Sequence, residues 1–179
     1  VVTSGASNRA DMIDPAVARP GRLDVRIRVV RPDRAGARDV FTKYLTPELP
    51  VRPEDLAAHG SARAAIDAMI DAAVDRLFTE DVSTALFDAT LASGRTKRIH
   101  LCDVVSGAMI AGIVERAKKL AIKDSLDGGP RGLGVRHVLA GVEEEMRESI
   151  ELAQTSSPDD WARTIGLREE IVAIAPLEG

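Results

Sequence analysis

The stretch GASNRADMIDPAVARPGRLD, residues 5–24, decides how the rest of the chain is read. Ahead of it, Val1-Val2-Thr3 has the character of the end of a β-strand, and Ser4 to Asn8 is rich in turn formers. In open α/β sheets ligands bind outside the carboxyl ends of the strands, which makes Asn8 a candidate ligand contact. Asp14-Pro15 is a helix start, because Asp caps free amides and Pro suits the first helical position. Arg19 precedes Pro20, and the residue before a proline is biased away from helical geometry, so that helix is about one turn long. Gly21 lets the chain swing round, which leaves Arg19 and Arg22 flanking a sharp Pro-Gly corner. A strand as short as residues 1–3 needs neighbours to pair with. Its sheet is therefore expected upstream, and the chain is read as the C-terminal part of a longer protein.

Downstream of the corner, Val25, Ile27 and Val29 alternate with Asp24, Arg26 and Arg28, the pattern of a half-buried strand. Arg31-Pro32-Asp33 breaks it and opens a helix in which Ala37, Val40, Phe41 and Tyr44 share a face. A short helix over 54–59 stops at Gly60. Ser61 caps a long helix with the stripe Ala62, Ala65, Ile66, Met69, Ile70, Ala73, Val74 and Leu77. The period then changes to two. Phe87, Ala89 and Leu91, a turn at Ser93-Gly94, then Ile99 and Leu101 predict a β-hairpin. Residues 103–126 are helical, with Met109, Ile110, Ile113, Val114, Ala117, Leu120 and Ala121 inward. A last long helix over 135–150 buries Val138, Leu139, Val142 and Met146, and its Glu143-Glu144-Glu145 run reads as a solvated face. After the Ser156-Ser157-Pro158 linker come a short helix at Asp159-Asp160-Trp161 and a final strand over 171–174. The body is a helical domain with one inserted hairpin, preceded by the edge of an α/β domain.

Composition narrows the function classes. Of 179 residues, 45% are hydrophobic but only 3% aromatic, so the core is aliphatic. No apolar run approaches the ~18–20 residues of a membrane span, and no secretion signal opens the chain. A net charge of −4 argues against a nucleic-acid module, which needs a concentrated basic face. The single cysteine, Cys102, excludes an internal disulfide, fits a reducing cytoplasm and reads as a half-buried strand residue. His100 lies two residues away without a second pair, so no zinc site is expected.

The spaced string Gly5-Ala6-Ser7-Asn8-Arg9, Asp14-Pro15-Ala16 and Arg19-Pro20-Gly21-Arg22-x-Asp24 resembles the second region of homology of AAA ATPases. In that family the Asn, here Asn8, is the sensor that orients the water attacking the γ-phosphate. The two arginines, here Arg19 and Arg22, are similar to the fingers that reach a neighbouring subunit's ATP. A simpler role for Arg22, pairing with Asp24 to fix the corner, stays open. Ser106-Gly107-Ala108 resembles the Ser-Gly-Ala motif of the small helical lid, where small residues let a helix N-terminus approach ribose and adenine; a plain helix cap also explains it. Tyr44 lies where many members place a base-contacting residue, and its phase with Ala37 fits core packing equally well.

Three further strings narrow the branch: residues 43–50, Met109-Ile110-x-x-Ile113-Val114-x-Arg116-Ala117-Lys118-Lys119, and Pro158-Asp159-Asp160-Trp161. With the insertion over 61–102 they resemble the mycobacterial-type proteasome-associated ATPases, also called AAA ATPases forming ring-shaped complexes. The resemblance covers essentially the whole chain. It implies a mostly α fold: an AAA small helical lid over 34–155 with an inserted helix and hairpin over 61–102. The last strands of the α/β large domain precede it over 1–33, and a tail segment over 156–179 follows. It implies a cytoplasmic homohexamer that hydrolyses ATP with Mg²⁺, unfolds tagged proteins and feeds them to the 20S proteasome. The Mg²⁺ ligands and the phosphate-cradling loop would lie upstream, so these residues alone are expected to be inactive. The insertion is expected on the outside of the lid, serving assembly. The Gly-Gln-Tyr-Leu ending that docks members on the proteasome is not in this sequence, which closes on Pro176-Leu177-Glu178-Gly179. Two alternatives stand beside this reading: an AAA remodelling ATPase not coupled to a protease, and a non-catalytic helical assembly module.

Overall fold

The computed structural model describes Asp14, Ala16, residues 30–167 and residues 169–177. The chain divides into two compact units, residues 1–30 and 31–179. In the first unit, the Asp14 carboxylate accepts a hydrogen bond from the Ala16 amide at 2.8 Å, as a capping Asp does.

The second unit is a helical bundle with a small sheet at its side. Its helices start where capping chemistry places them. Asp33 accepts from the Gly36 amide at 2.8 Å and opens α1 (Arg34–Tyr44). Pro53 begins α2 (Pro53–His59), and Gly60, with φ 76°, ends it. Ser61 caps α3 (Ala62–Phe78) through the Ala64 amide, and Ser106 caps α5 (Gly107–Leu126) through the Met109 amide. Between them lie β1 (Ala85–Leu91), β2 (Thr96–His100) and a single helical turn, α4 (Leu101–Val104). After α5 come α6 (Val135–Thr155), α7 (Pro158–Ile165) and β3 (Ile171–Ala175).

One aliphatic core joins these elements. Helix α6 packs on α5 and α3, and α1 packs on the same two helices. Phe41, Met69, Ile70, Leu77, Ile110 and Ile113 are among the fully buried side chains. Backbones approach closely at two glycines. A Cβ on Gly141 would sit 2.7 Å from the Ile113 carbonyl oxygen, so the crossing of α5 and α6 depends on its absence. Gly132, at φ 115°, brings Leu133 into a parallel bridge with Val51, and a Cβ there would meet the Val51 carbonyl carbon at 2.6 Å.

The structure revises three sequence expectations and adds partners to a fourth element, the closing strand. The insertion is not an outer layer: α3 buries Ala65, Ile66, Met69, Ile70, Ala73, Val74 and Leu77 in the same core as α1 and α6. Leu101 does not extend the hairpin. The Asp103 carboxylate accepts from the His100 amide at 3.0 Å and from Lys97 Nζ at 3.0 Å, which turns the chain into α4 directly after β2. The final strand is paired, since β3 runs antiparallel to β1 to give the order β2-β1-β3. Trp161 of α7 meets Phe87 of β1 edge to face, with ring centroids 4.9 Å apart. Finally, the acidic run is not merely solvated. Glu143 accepts from Arg76 Nε of α3 at 2.6 Å, and Glu145 pairs with Arg116 of α5.

Candidate nucleotide-facing site

Asn8, Arg19 and Arg22 lie outside the described residues. The residues of the second unit that sequence singles out fall on two helices that pack together, α1 and α5. Ser106 Oγ accepts from the Met109 amide at 3.1 Å, and its carbonyl accepts from the Ile110 amide at 3.1 Å. The amides of Gly107 and Ala108 have no partner among the described residues. Both residues are exposed, and a Cβ on Gly107 would meet nothing within 4 Å. The start of a 20-residue helix thus presents two N–H donors without a partner among the described residues, together with the positive end of its dipole. Such an end can receive oxygen acceptors of a ligand, and among the described residues no side chain would meet a Cβ on Gly107.

Tyr44 is in the last turn of α1 and is 39% exposed, whereas Ala37 and Phe41 fill the core. The core-packing alternative for Tyr44 is therefore not what the structure has. Its ring is available to a flat partner, and the next residue, Leu45, takes the buried place at the helix end.

Sequence reading missed a polar cluster that closes the turn between α5 and α6. Arg52 is only 3% exposed and donates from Nη1 to Asp124 Oδ2 at 2.9 Å. Its Nε lies 2.5 Å from Glu54 Oε1, a charge contact without hydrogen-bond geometry. His137, also buried, accepts at Nδ1 from the Gly134 amide at 3.0 Å, which leaves Nε2–H to donate to Asp124 Oδ2 at 2.9 Å. The hydrogen bond from His137 first, then that from Arg52 and the charge of Arg136, hold the Asp124 carboxyl below the usual carboxylate range against its desolvation. Asp55 accepts from the Val135 amide at 3.2 Å and so caps α6 from α2. These contacts are structural, since each polar group is turned on another. The one hint in sequence was Asp124 and His137 at either end of a Gly-rich loop.

Cys102 sits in α4, not in a strand. Burial first, and then the charges of Asp103 and Glu80, push its thiol up to about 11. Little thiolate exists near neutrality, so alkylation by iodoacetamide at pH 8 is expected to run about ten-fold slower or more than for free cysteine. Mass spectrometry of the timed reaction measures it; labelling at the free-cysteine rate would show that the α4 turn opens readily. Among the described residues, no group of three or more His, Cys, Asp or Glu side chains is placed to hold a metal ion. No described helix is long and apolar enough to cross a membrane.

Comparison with known proteins fits this arrangement. Residues 32–178 match the family described as ARC, AAA+ ATPase lid domain. The chain is 50% identical over 179 residues, 99% of its length, to a proteasome-associated ATPase of Acidothermus cellulolyticus. It shares 50% over the same span with the proteasome-associated ATPase of Thermobifida fusca, and 51% over 171 residues, 95% of its length, with that of Beutenbergia cavernae. It spans 31% of the first two relatives and 30% of the third. The mostly α bundle, the open start of α5 and the match over 32–178 lead to one assignment: the chain belongs to the ARC AAA+ ATPase lid-domain family.

Proposed function

We propose that this chain is the C-terminal part of an ATP-driven unfoldase and translocase subunit. It works in the cytoplasm as a homohexameric ring and passes tagged proteins to the bacterial 20S proteasome. In this reading residues 1–33 are the edge of the α/β large domain, 34–155 the lid with the insertion 61–102, and 156–179 the closing segment. Asn8 positions the attacking water. Arg19 and Arg22 stabilise the charge developing on a neighbour's nucleotide. The amides of Gly107 and Ala108 and the ring of Tyr44 border ribose and adenine. Mg²⁺, with ligands outside these residues, would supply charge neutralisation at the phosphates. The observation that carries the reading is the exposed N-terminus of α5, with two donors that have no partner among the described residues, in a chain whose lid belongs to this family. The chain by itself is expected not to hydrolyse ATP.

Gly107→Glu tests the site. Its Cβ has free space, and an acidic residue in a first helical turn favours the helix, so the fold should be kept. In the whole-length protein, however, the new carboxylate fills the ligand's place. The Michaelis constant for ATP is expected to rise about ten-fold or more, measured by steady-state hydrolysis. An unchanged constant in intact rings would remove Gly107 from the nucleotide site.

A further inference from the structure

Arg31 is the first residue of the second unit, and its side chain contacts two distant segments. Its Nε donates to the Thr164 carbonyl at 2.7 Å, in the last turn of α7. Its Nη1 donates to the carbonyls of Val104 and Val105, the latter at 3.1 Å. Val104 ends α4, and Val105 immediately precedes Ser106, the cap of α5. One guanidinium therefore caps the carboxyl ends of two helices and fixes the backbone that delivers Gly107 and Ala108 to solvent. The side chain is half buried, and among the described residues its hydrogen-bond acceptors are backbone carbonyls, with no carboxylate pairing with it. Its own backbone is constrained as well. Pro32 follows it and Asp33 is locked as the cap of α1, so residue 31 has little freedom to follow its side chain.

We propose that Arg31 is a positioning residue for nucleotide binding: it ties the chain's entry into the lid to the Val104–Ser106 turn and so fixes the Gly107–Ala108 edge. The proposal rests on the reading of Gly107 and Ala108 as nucleotide-facing. Its physical core is that three hydrogen bonds from a rigid planar fork define both the place and the tilt of the α5 start. A flexible ammonium or an apolar side chain at the same position defines neither. Arg31 touches no nucleotide in this scheme. Its loss acts through the helix that does.

The test uses the whole-length protein carrying Arg31→Met or Arg31→Lys, with Gly107→Glu alongside and ATP as the probe. Both Arg31 variants are expected to raise the Michaelis constant for ATP about five- to ten-fold, with kcat within two-fold and rings intact. Lys should not rescue, because a single ammonium cannot hold the carbonyls of both segments. A merely structural cap would lower the thermal midpoint and leave the Michaelis constant alone. An unchanged constant in folded Arg31→Lys, or full rescue by Lys, therefore overturns the proposal, and Arg31→Lys decides alone if Arg31→Met fails to fold. Should Gly107→Glu also leave the constant unchanged, the nucleotide-facing reading falls and takes the proposal with it. A rise in Gly107→Glu without one in Arg31→Lys removes only Arg31.

Discussion

Arg19→Ala or Arg22→Ala in the assembled whole-length protein is expected to cut ATP turnover by about 10³-fold while leaving ATP affinity within a few-fold. The size of the effect follows from the side chain. A guanidinium is charged at every accessible pH and presents donors in a fork that matches phosphate oxygens, and alanine offers neither. Charge on a transferring phosphoryl group grows toward the transition state, so a cation aimed there lowers the barrier more than it tightens binding. Both residues lie outside the described residues, and the expectation rests on their spacing around Pro20-Gly21 and on the family resemblance. If each arginine acts on a neighbour, mixing an arginine variant with subunits lacking the phosphate-loop lysine should restore part of the turnover. Each subunit then supplies what the other lacks. Intact mixed rings without any recovery would place the arginines within their own subunit, or leave Arg22 to the smaller task of pairing with Asp24.

Where the sequence was legible, the reason was local. The cap residues Asp33, Ser61 and Ser106 accept from the amides that capping chemistry assigns them, because the donor lies only two or three residues away. The stripes of α3 and α5 are buried nearly as their 3.6-residue period requires, with only Ala62, Met109 and Leu120 left half buried. What could not be read depended on distance along the chain. Ile171–Ala175 reads as a strand, but its choice of β1 as partner is fixed some 80 residues earlier, and nothing in either pattern names the other. The cluster of Arg52, Asp124 and His137 is hidden for the same reason: each residue alone looks like an ordinary surface polar. Leu101 misled because alternation continued past the point where Asp103 hydrogen-bonds back to His100. Gly107 and Ala108 were legible as a motif, but their exposure is a tertiary fact. Arg31 was read only as a strand breaker, since its three acceptors lie on segments that sequence cannot bring together.

Excising residues 61–102 and joining Gly60 to Asp103 is expected to abolish cooperative folding of the chain. An outer-layer insertion would come away with little consequence, and α3 with the hairpin is not such a layer. The cut removes Ile66, Met69, Ile70 and Leu77 from between α1 and α6, and Leu86, Phe87, Ile99 and Leu101 from the sheet side, all at most 2% exposed. Deleting even one such side chain to alanine costs about 2–5 kcal/mol, against a total stability of about 5–15 kcal/mol for a domain. Losing eight cannot be absorbed by repacking. The sheet falls with them: β3 loses its partner β1, Trp161 loses Phe87, and Glu143 loses Arg76. Far-UV circular dichroism and a thermal melt of the excised chain, beside the intact one, measure the outcome. Loss of the sharp transition is the expected result. A melt as steep as that of the intact chain, with helix content lowered only by the missing α3, would mean that α1, α2, α5 and α6 close a core without it.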